Sequence, residues 1–117
     1  MELESLREYC LSKKGSEECL PFDDETLVFK VMGKIFLITN LEGEAGISIK
    51  VEPEEGLSMR EQYPAVLPAW HMNKLHWVTV SLDGTVEDSV LRKWIDCSYA
   101  LVVNGLTRKL RLELDDL

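Results

Sequence analysis

At 117 residues with 45% hydrophobic content, the chain is long enough for one domain with its own core, and 29% charged residues is an ordinary folded composition that argues against disorder. No apolar run nears the roughly 18 residues of a membrane span, and the acidic start Met1-Glu2-Leu3-Glu4 has none of the basic and apolar regions of a signal peptide, so a cytoplasmic domain away from membranes is expected. The net charge of −8 works against nonspecific nucleic-acid binding, whose affinity comes mainly from neutralised phosphates.

Residues 2–14 read as a helix. Leu3, Leu6, Cys10 and Lys13 follow helical spacing, and Lys13-Lys14-Gly15 is a fair stop: cations in the last turn, then a residue free to take positive φ. Residues 16–25 are polar and acidic with Pro21, and read as a loop. Most of the net negative charge lies in the first helix and this loop: residues 1–25 carry eight acidic and three basic side chains, so −5 of the −8.

Thr26 to Met32 is a strand by its β-branched and aromatic content, with Leu27, Phe29 and Val31 on one face. Gly33-Lys34 is a two-residue hairpin signal, with Gly first as a type II′ turn prefers. Ile35 to Leu41 returns as a second strand, and Glu42 to Gly46 is a further turn. Ile47 to Val51 alternates cleanly, placing Ile47, Ile49 and Val51 inward with Ser48 and Lys50 outward.

Pro53 suits the first turn of a helix, and Glu54 and Glu55 favour its positive end. That helix ends near Gln62, before Pro64. Residues 64–75 read as a loop, His76 to Leu82 as a fourth strand, and Asp83-Gly84 as a turn. Thr85 opens the last helix, with Asp88 as its capping-box partner. This helix is the longest and most apolar pattern, broken at its middle by Cys97 and Ser98, and Asn104-Gly105 ends it. Arg108, Lys109 and Arg111 follow, and residues 110–117 read as a loose acidic tail.

The expected fold is a single α+β domain of two layers: an antiparallel sheet, made of a β-meander plus one further strand, with the helices on one side. The element order is α-β-β-β-α-β-α.

The densest chemistry lies in residues 70–77, where Trp70, His71, Asn73, Lys74, His76 and Trp77 bring stacking and hydrogen-bonding side chains together. One reading is a surface patch for a planar or phosphorylated ligand. The other is structural: Trp77 in the core, and Asn73 tying the loop through an amide that mimics a backbone turn. A metal site is disfavoured, because five-residue spacing puts His71 and His76 on one face of neither a helix nor a strand. Catalysis by Cys97 or Ser98 is disfavoured too. No nucleophile elbow is present, and Cys97, far from its helix's N-terminus, reads as a small buried hydrophobe. The odd number of cysteines reads as free thiols in a reducing compartment. Lys30, Lys34, Lys50 and Lys74 could form a basic stripe, with Lys30 and Lys50 on strand positions opposite the inward sets.

Several pieces recur here in the order and spacing of a known family. They are Leu20-Pro21-Phe22, residues 27–31 with Gly33-Lys34, Ile49-Lys50, Arg60-Glu61-Gln62-Tyr63-Pro64, His71-Met72-Asn73-Lys74-Leu75-His76-Trp77, Asp83-Gly84 and Ile95-Asp96-Cys97-Ser98-Tyr99. With them the chain resembles the MmcQ/YjbR family. The resemblance implies a CyaY-like or secretion-chaperone-like fold and a likeness to a "double-wing" DNA-binding architecture, with no enzymatic activity and no cofactor. It leaves three readings: a DNA-binding domain using Lys30, Lys50, His71, Asn73, Lys74 and His76; a small planar-ligand protein around Trp70 and Trp77; and an adaptor for a protein partner. A monomer is the expected state.

Overall fold

A computed structural model describes residues 1–41, 46–69 and 72–117. Its elements are α1 (Leu3–Leu11), β1 (Ser16–Cys19), β2 (Thr26–Val31), β3 (Lys34–Asn40), β4 (Ile47–Lys50), α2 (Pro53–Gln62), β5 (Val66–Pro68), β6 (Trp77–Val80), α3 (Asp88–Asn104) and α4 (Arg108–Asp115). The strands form one antiparallel sheet in the order β1-β2-β3-β4-β6-β5. The α+β architecture and the meander of β2, β3 and β4 are as the sequence predicts; β1, β5 and α4 are additions to the expected order.

Each addition has a tertiary cause. β1 has no apolar alternation, but it pairs along β2 from Ser16↔Val31 to Cys19↔Val28. Arg7 of α1 grips Glu18 through two hydrogen bonds of 2.8 and 2.5 Å, which holds the strand against the first helix. β5 is three residues long and ends on Pro68, an edge position where a missing N–H is tolerated. Residues 110–117, expected as a loose tail, are mostly helix: Thr107 Oγ1 accepts from Leu110 N at the start of α4, and Leu114 is buried.

One face of the sheet and all four helices share a single core. Leu27, Phe29 and Val31 of β2, Leu37 of β3, Ile47 and Ile49 of β4, and Val78 and Val80 of β6 meet Leu6 and Cys10 of α1, Met59 of α2, Leu91, Ile95 and Val102 of α3, and Leu114 of α4. Burial also pushes the Cys10 thiol up to about 12, with a smaller opposing effect from Lys13. A second tie between α1 and α3 is polar. Asp96 accepts from Tyr9 Oη and pairs with Lys13, whose ammonium lies over the Tyr9 ring. Among the described residues no helix is long and apolar enough to cross a membrane.

Ser98 explains the polar break in α3. It is wholly buried, donating from Oγ to the Phe36 carbonyl (2.6 Å) and accepting from the Lys50 amide (2.8 Å). The register slips between Phe29 and Lys30: Phe29 faces Leu37 and Lys30 faces Ile35, leaving Phe36 as the extra residue of a bulge. One helical hydroxyl thus satisfies a carbonyl at this bulge and an amide at the end of β4. Beside it, Phe36 packs edge-on against Tyr99 at 5.4 Å.

Two turns differ from expectation. The hairpin turn is Met32-Gly33, with φ of 49° and 82°, so both central residues are left-handed as in type I′ rather than II′. Thr85 does not open α3: its N–H and hydroxyl both donate to Asp83 Oδ1, and the helix starts three residues later behind Glu87. The short acidic turn wins because Asp83 reaches Thr85 locally, before any helix is formed. The expected turn at Glu42 to Gly46 lies, but for Gly46, outside the described residues.

Candidate functional site

The site is best built from the sheet register, because residues directly opposite one another across a ladder share a face. Val28, Ile38, Ser48, Thr79 and Leu67 form one row across β2, β3, β4, β6 and β5 on the face turned away from the core. Ser48 and Thr79 join their hydroxyls at 3.0 Å within it. Two residues along β2, β4 and β6, and three along the bulged β3, comes a second row, containing Glu17, Lys30, Ile35, Lys50 and Trp77. Lys30 and Lys50 therefore do share the face opposite the core, with β3 between them.

Trp77 needs correction in one respect. It is buried, at 8% exposure, but it stands outside the helix-covered core, directly across from Lys50. An aromatic and a lysine thus lie side by side on the second face. They line a cleft of about 480 Å³ together with Lys34, Ile35, Met72 and the α3 end at Val102 and Gly105. The hairpin tip at Gly33 forms another wall.

The remaining candidates divide. Asn73 accepts at Oδ1 from the amides of Leu75 (2.8 Å) and His76 (3.1 Å), the turn-mimicking role its side chain suits. The His76 carbonyl accepts from Val51 N, which ties the corner to the end of β4, and β6 begins only at Trp77. Lys74 and His76 are exposed at that corner and do not line the cleft. Lys30 has Glu17 as its cross-strand neighbour, so its charge faces an acidic one. Trp70 and His71 lie outside the described residues. Arg108, Lys109 and Arg111 are the exposed face of the amphipathic helix α4.

Cys97 is exposed, not buried as its place in an apolar helix predicts, because Ser98 rather than Cys97 points into the sheet. It lies in a second and larger cleft, about 600 Å³, between α2 and α3. Lys50, Glu52, Glu55, Tyr63, Trp94 and Asn104 are among its walls. Sequence reasoning passed over this groove. The available signal was the pair of small residues Cys97 and Ala100 between Trp94 and Leu101, on a helix otherwise rich in bulky side chains. Among the described residues, no group of three His, Cys, Asp or Glu side chains is placed to hold a metal ion.

Comparison with known proteins agrees with the residues that resemble a family. The family model described as YjbR matches residues 11–101. The uncharacterized protein YjbR of Escherichia coli strain K12 is 36% identical, with 97% of this chain and 100% of that protein covered. The uncharacterized protein YbdF of E. coli O157:H7 is also 36% identical, over 91% of this chain and 88% of its own length. The crystal structure of Deinococcus radiodurans protein DR2400, a DUF419 domain, superposes with a TM-score of 0.91 at 40% identity, covering 97% of this chain and 88% of that one. A Pseudomonas syringae protein gives a TM-score of 0.74 at 27% identity, over 86% of this chain and 98% of its own. With the model spanning most of the chain and near-full-length relatives sharing over a third of its residues, this protein belongs to the YjbR family.

Proposed function

We propose that this YjbR-family domain is a non-enzymatic binding protein whose ligand is a small, flat anion held in the second-face cleft. The observation that carries the reading is the Lys50–Trp77 pair, adjacent across β4 and β6, with Lys34 lining the same cleft. Two ammonium groups supply charge-assisted hydrogen bonds to a carboxylate or phosphate, while Trp77, Met72 and Ile35 offer an apolar bed for a ring. A cleft of a few hundred Å³ with an apolar lining and few polar groups has the usual form of a small-molecule site. A cytoplasmic, monomeric domain fits this reading.

The test is a titration of the domain with AMP, flavin mononucleotide and 2-naphthoate, followed by calorimetry. Saturable binding is expected for at least one of them, weakened about tenfold or more by Lys50→Ala, the size of one lost charge-assisted hydrogen bond. No saturable binding, or binding indifferent to Lys50→Ala, would sink the reading.

Contact with a DNA duplex is the second reading. It draws support from Lys30 and Lys50 on one face, with Lys34 at the projecting β2–β3 turn. The charge of −8 and the Glu17 neighbour of Lys30 weigh against it. A salt titration separates the two: duplex binding should fall with rising salt, and Lys30→Ala should reduce the logarithmic slope by about 1. Absence of duplex binding at low salt would remove this second reading and leave the first standing.

A further inference from the structure

We infer that the groove between α2 and α3 is a separate ligand site, shaped for a zwitterion with a bulky apolar body: a free aromatic amino acid. The groove has two unlike ends. At one, Tyr63 and Trp94 meet edge-to-face with ring centroids 4.9 Å apart. At the other stand Lys50, Glu52 and Asn104. The order of the ends follows from contacts already described. The Lys50 amide is bonded to Ser98 in the middle of α3, so the start of α2 lies beside the C-terminal half of α3. The end of α2 reaches Trp94 in the N-terminal half. The ten residues of α2 make a helix about 15 Å long at 1.5 Å per residue, which separates the two ends.

The space between the ends has a structural cause. Lys93, Cys97, Ala100 and Asn104 repeat at helical spacing along the flank of α3 that faces the groove. The two middle members are too small to fill it. The helices cannot close by sliding. α3 is pinned to the sheet by Ser98, and α2 is seated with Gly56 so near β4 and β6 that an added Cβ would come within 2.9 Å of Val51 Cγ2. Met59 and Val51 make an apolar floor.

Charge decides the class of occupant. Lys50 and Lys93 are balanced in the walls by Glu52 and Glu55, so the groove has no net attraction for a polyanion. At the polar end Glu52 offers a partner for an ammonium, and Asn104 offers an amide donor to a carboxylate as well as an acceptor. The ring of the same molecule would extend toward Trp94 and Tyr63.

Cys97, exposed in the middle of the groove, is a built-in reporter, whereas Cys10 is buried. The experiment measures its alkylation by iodoacetamide in the full chain, read by peptide mass spectrometry, with L-phenylalanine, 3-phenylpropionate or phenethylamine present. Phenylalanine at ten times its half-saturating concentration should slow Cys97 alkylation about tenfold by mass action. The two single-headed analogues should protect far less at the same concentration. Glu52 caps α2 without a side-chain hydrogen bond, so Glu52→Gln spares the helix and should weaken phenylalanine but not 3-phenylpropionate. Ala100→Trp, on the exposed flank of α3, should abolish the heat of phenylalanine binding in calorimetry. Lys34→Ala, which alters only the second-face cleft, should leave the protection intact. No protection by phenylalanine up to its solubility limit overturns the site, as does heat that persists in Ala100→Trp. Equal protection by all three compounds overturns the zwitterion assignment.

Discussion

Lys50 stands between two clefts of opposite character. The second-face cleft joins sheet side chains to the hairpin tip and the end of α3, and lysines are its charged walls. The groove between α2 and α3 is built on helix flanks, and its lysines and glutamates balance. The difference teaches how one short strand serves two surfaces. Alternation along β4 puts Ile47 and Ile49 into the core and Ser48 and Lys50 onto the second face. Because β4 ends at Lys50 and α2 begins three residues later, the same residue also reaches the start of the groove. Stability and specificity are then separable: the core face holds the fold, while the two clefts differ in charge and shape.

The largest expected effect comes from removing what both clefts share. Phe36 is fully buried at the bulge beneath α3, and Phe36→Ala should cost about 3–5 kcal/mol in chemical denaturation, weakening both clefts together. Ser98→Ala is the more selective break. It leaves the Phe36 carbonyl and the Lys50 amide without their partner, at about 1–3 kcal/mol. Its consequence should be larger in the groove, whose α3 wall Ser98 pins. Retained phenylalanine protection of Cys97 together with lost binding in the second-face cleft would reverse that comparison.

Smaller changes sharpen it. Met32 holds φ of 49° at the hairpin beside the second-face cleft, a conformation that a side chain with Cβ resists. Met32→Asn should stabilise the fold by roughly 0.5–1 kcal/mol, because Asn tolerates that region at lower cost. A loss of stability would show that the Met32 side chain, partly packed on the core, contributes more than the turn strain removes.

The smallest effect lies far from both clefts. Hydrogen bonds from Arg7 hold the Glu18 carboxyl below the usual carboxylate range, against a smaller opposing push from burial. A lowered folded-state pKa stabilises above the unfolded value. The contribution should be complete above about pH 4.5 and be lost as pH falls through the folded value. The melting-temperature gap between the native chain and Glu18→Gln should therefore shrink from about pH 6 to about pH 3, with neither cleft affected at neutral pH.

Much of the frame was legible because it rests on local periodicity. The inward sets of β2 and β4, Pro53 at the start of α2 and the apolar stripe of α3 each follow from spacing within a few residues. β1 was not legible, since Ser16 to Cys19 has neither alternation nor β-branched content, and its pairing depends on β2 and on Arg7. α4 carries Leu110, Leu112 and Leu114, of which only Leu110 and Leu114 fall on one helical face, within a segment dominated by charge. The structural role of Asn73 could be read from its chemistry, whereas the placement of Trp77 on the second face depended on which strand it joined.

The sequence by itself determined the class of fold, the family, the core-facing residues of the main strands and the shared face of Lys30 and Lys50. Those follow from the period of a strand or helix and from an ordered set of short motifs. Only the tertiary structure decided that Ser98, not Cys97, enters the sheet, that Lys50 lies beside Trp77, and that a polarised groove opens between α2 and α3. Each of these is a relation between segments far apart in the chain. A cleft is space left between elements, and its size is set by how closely their backbones can approach.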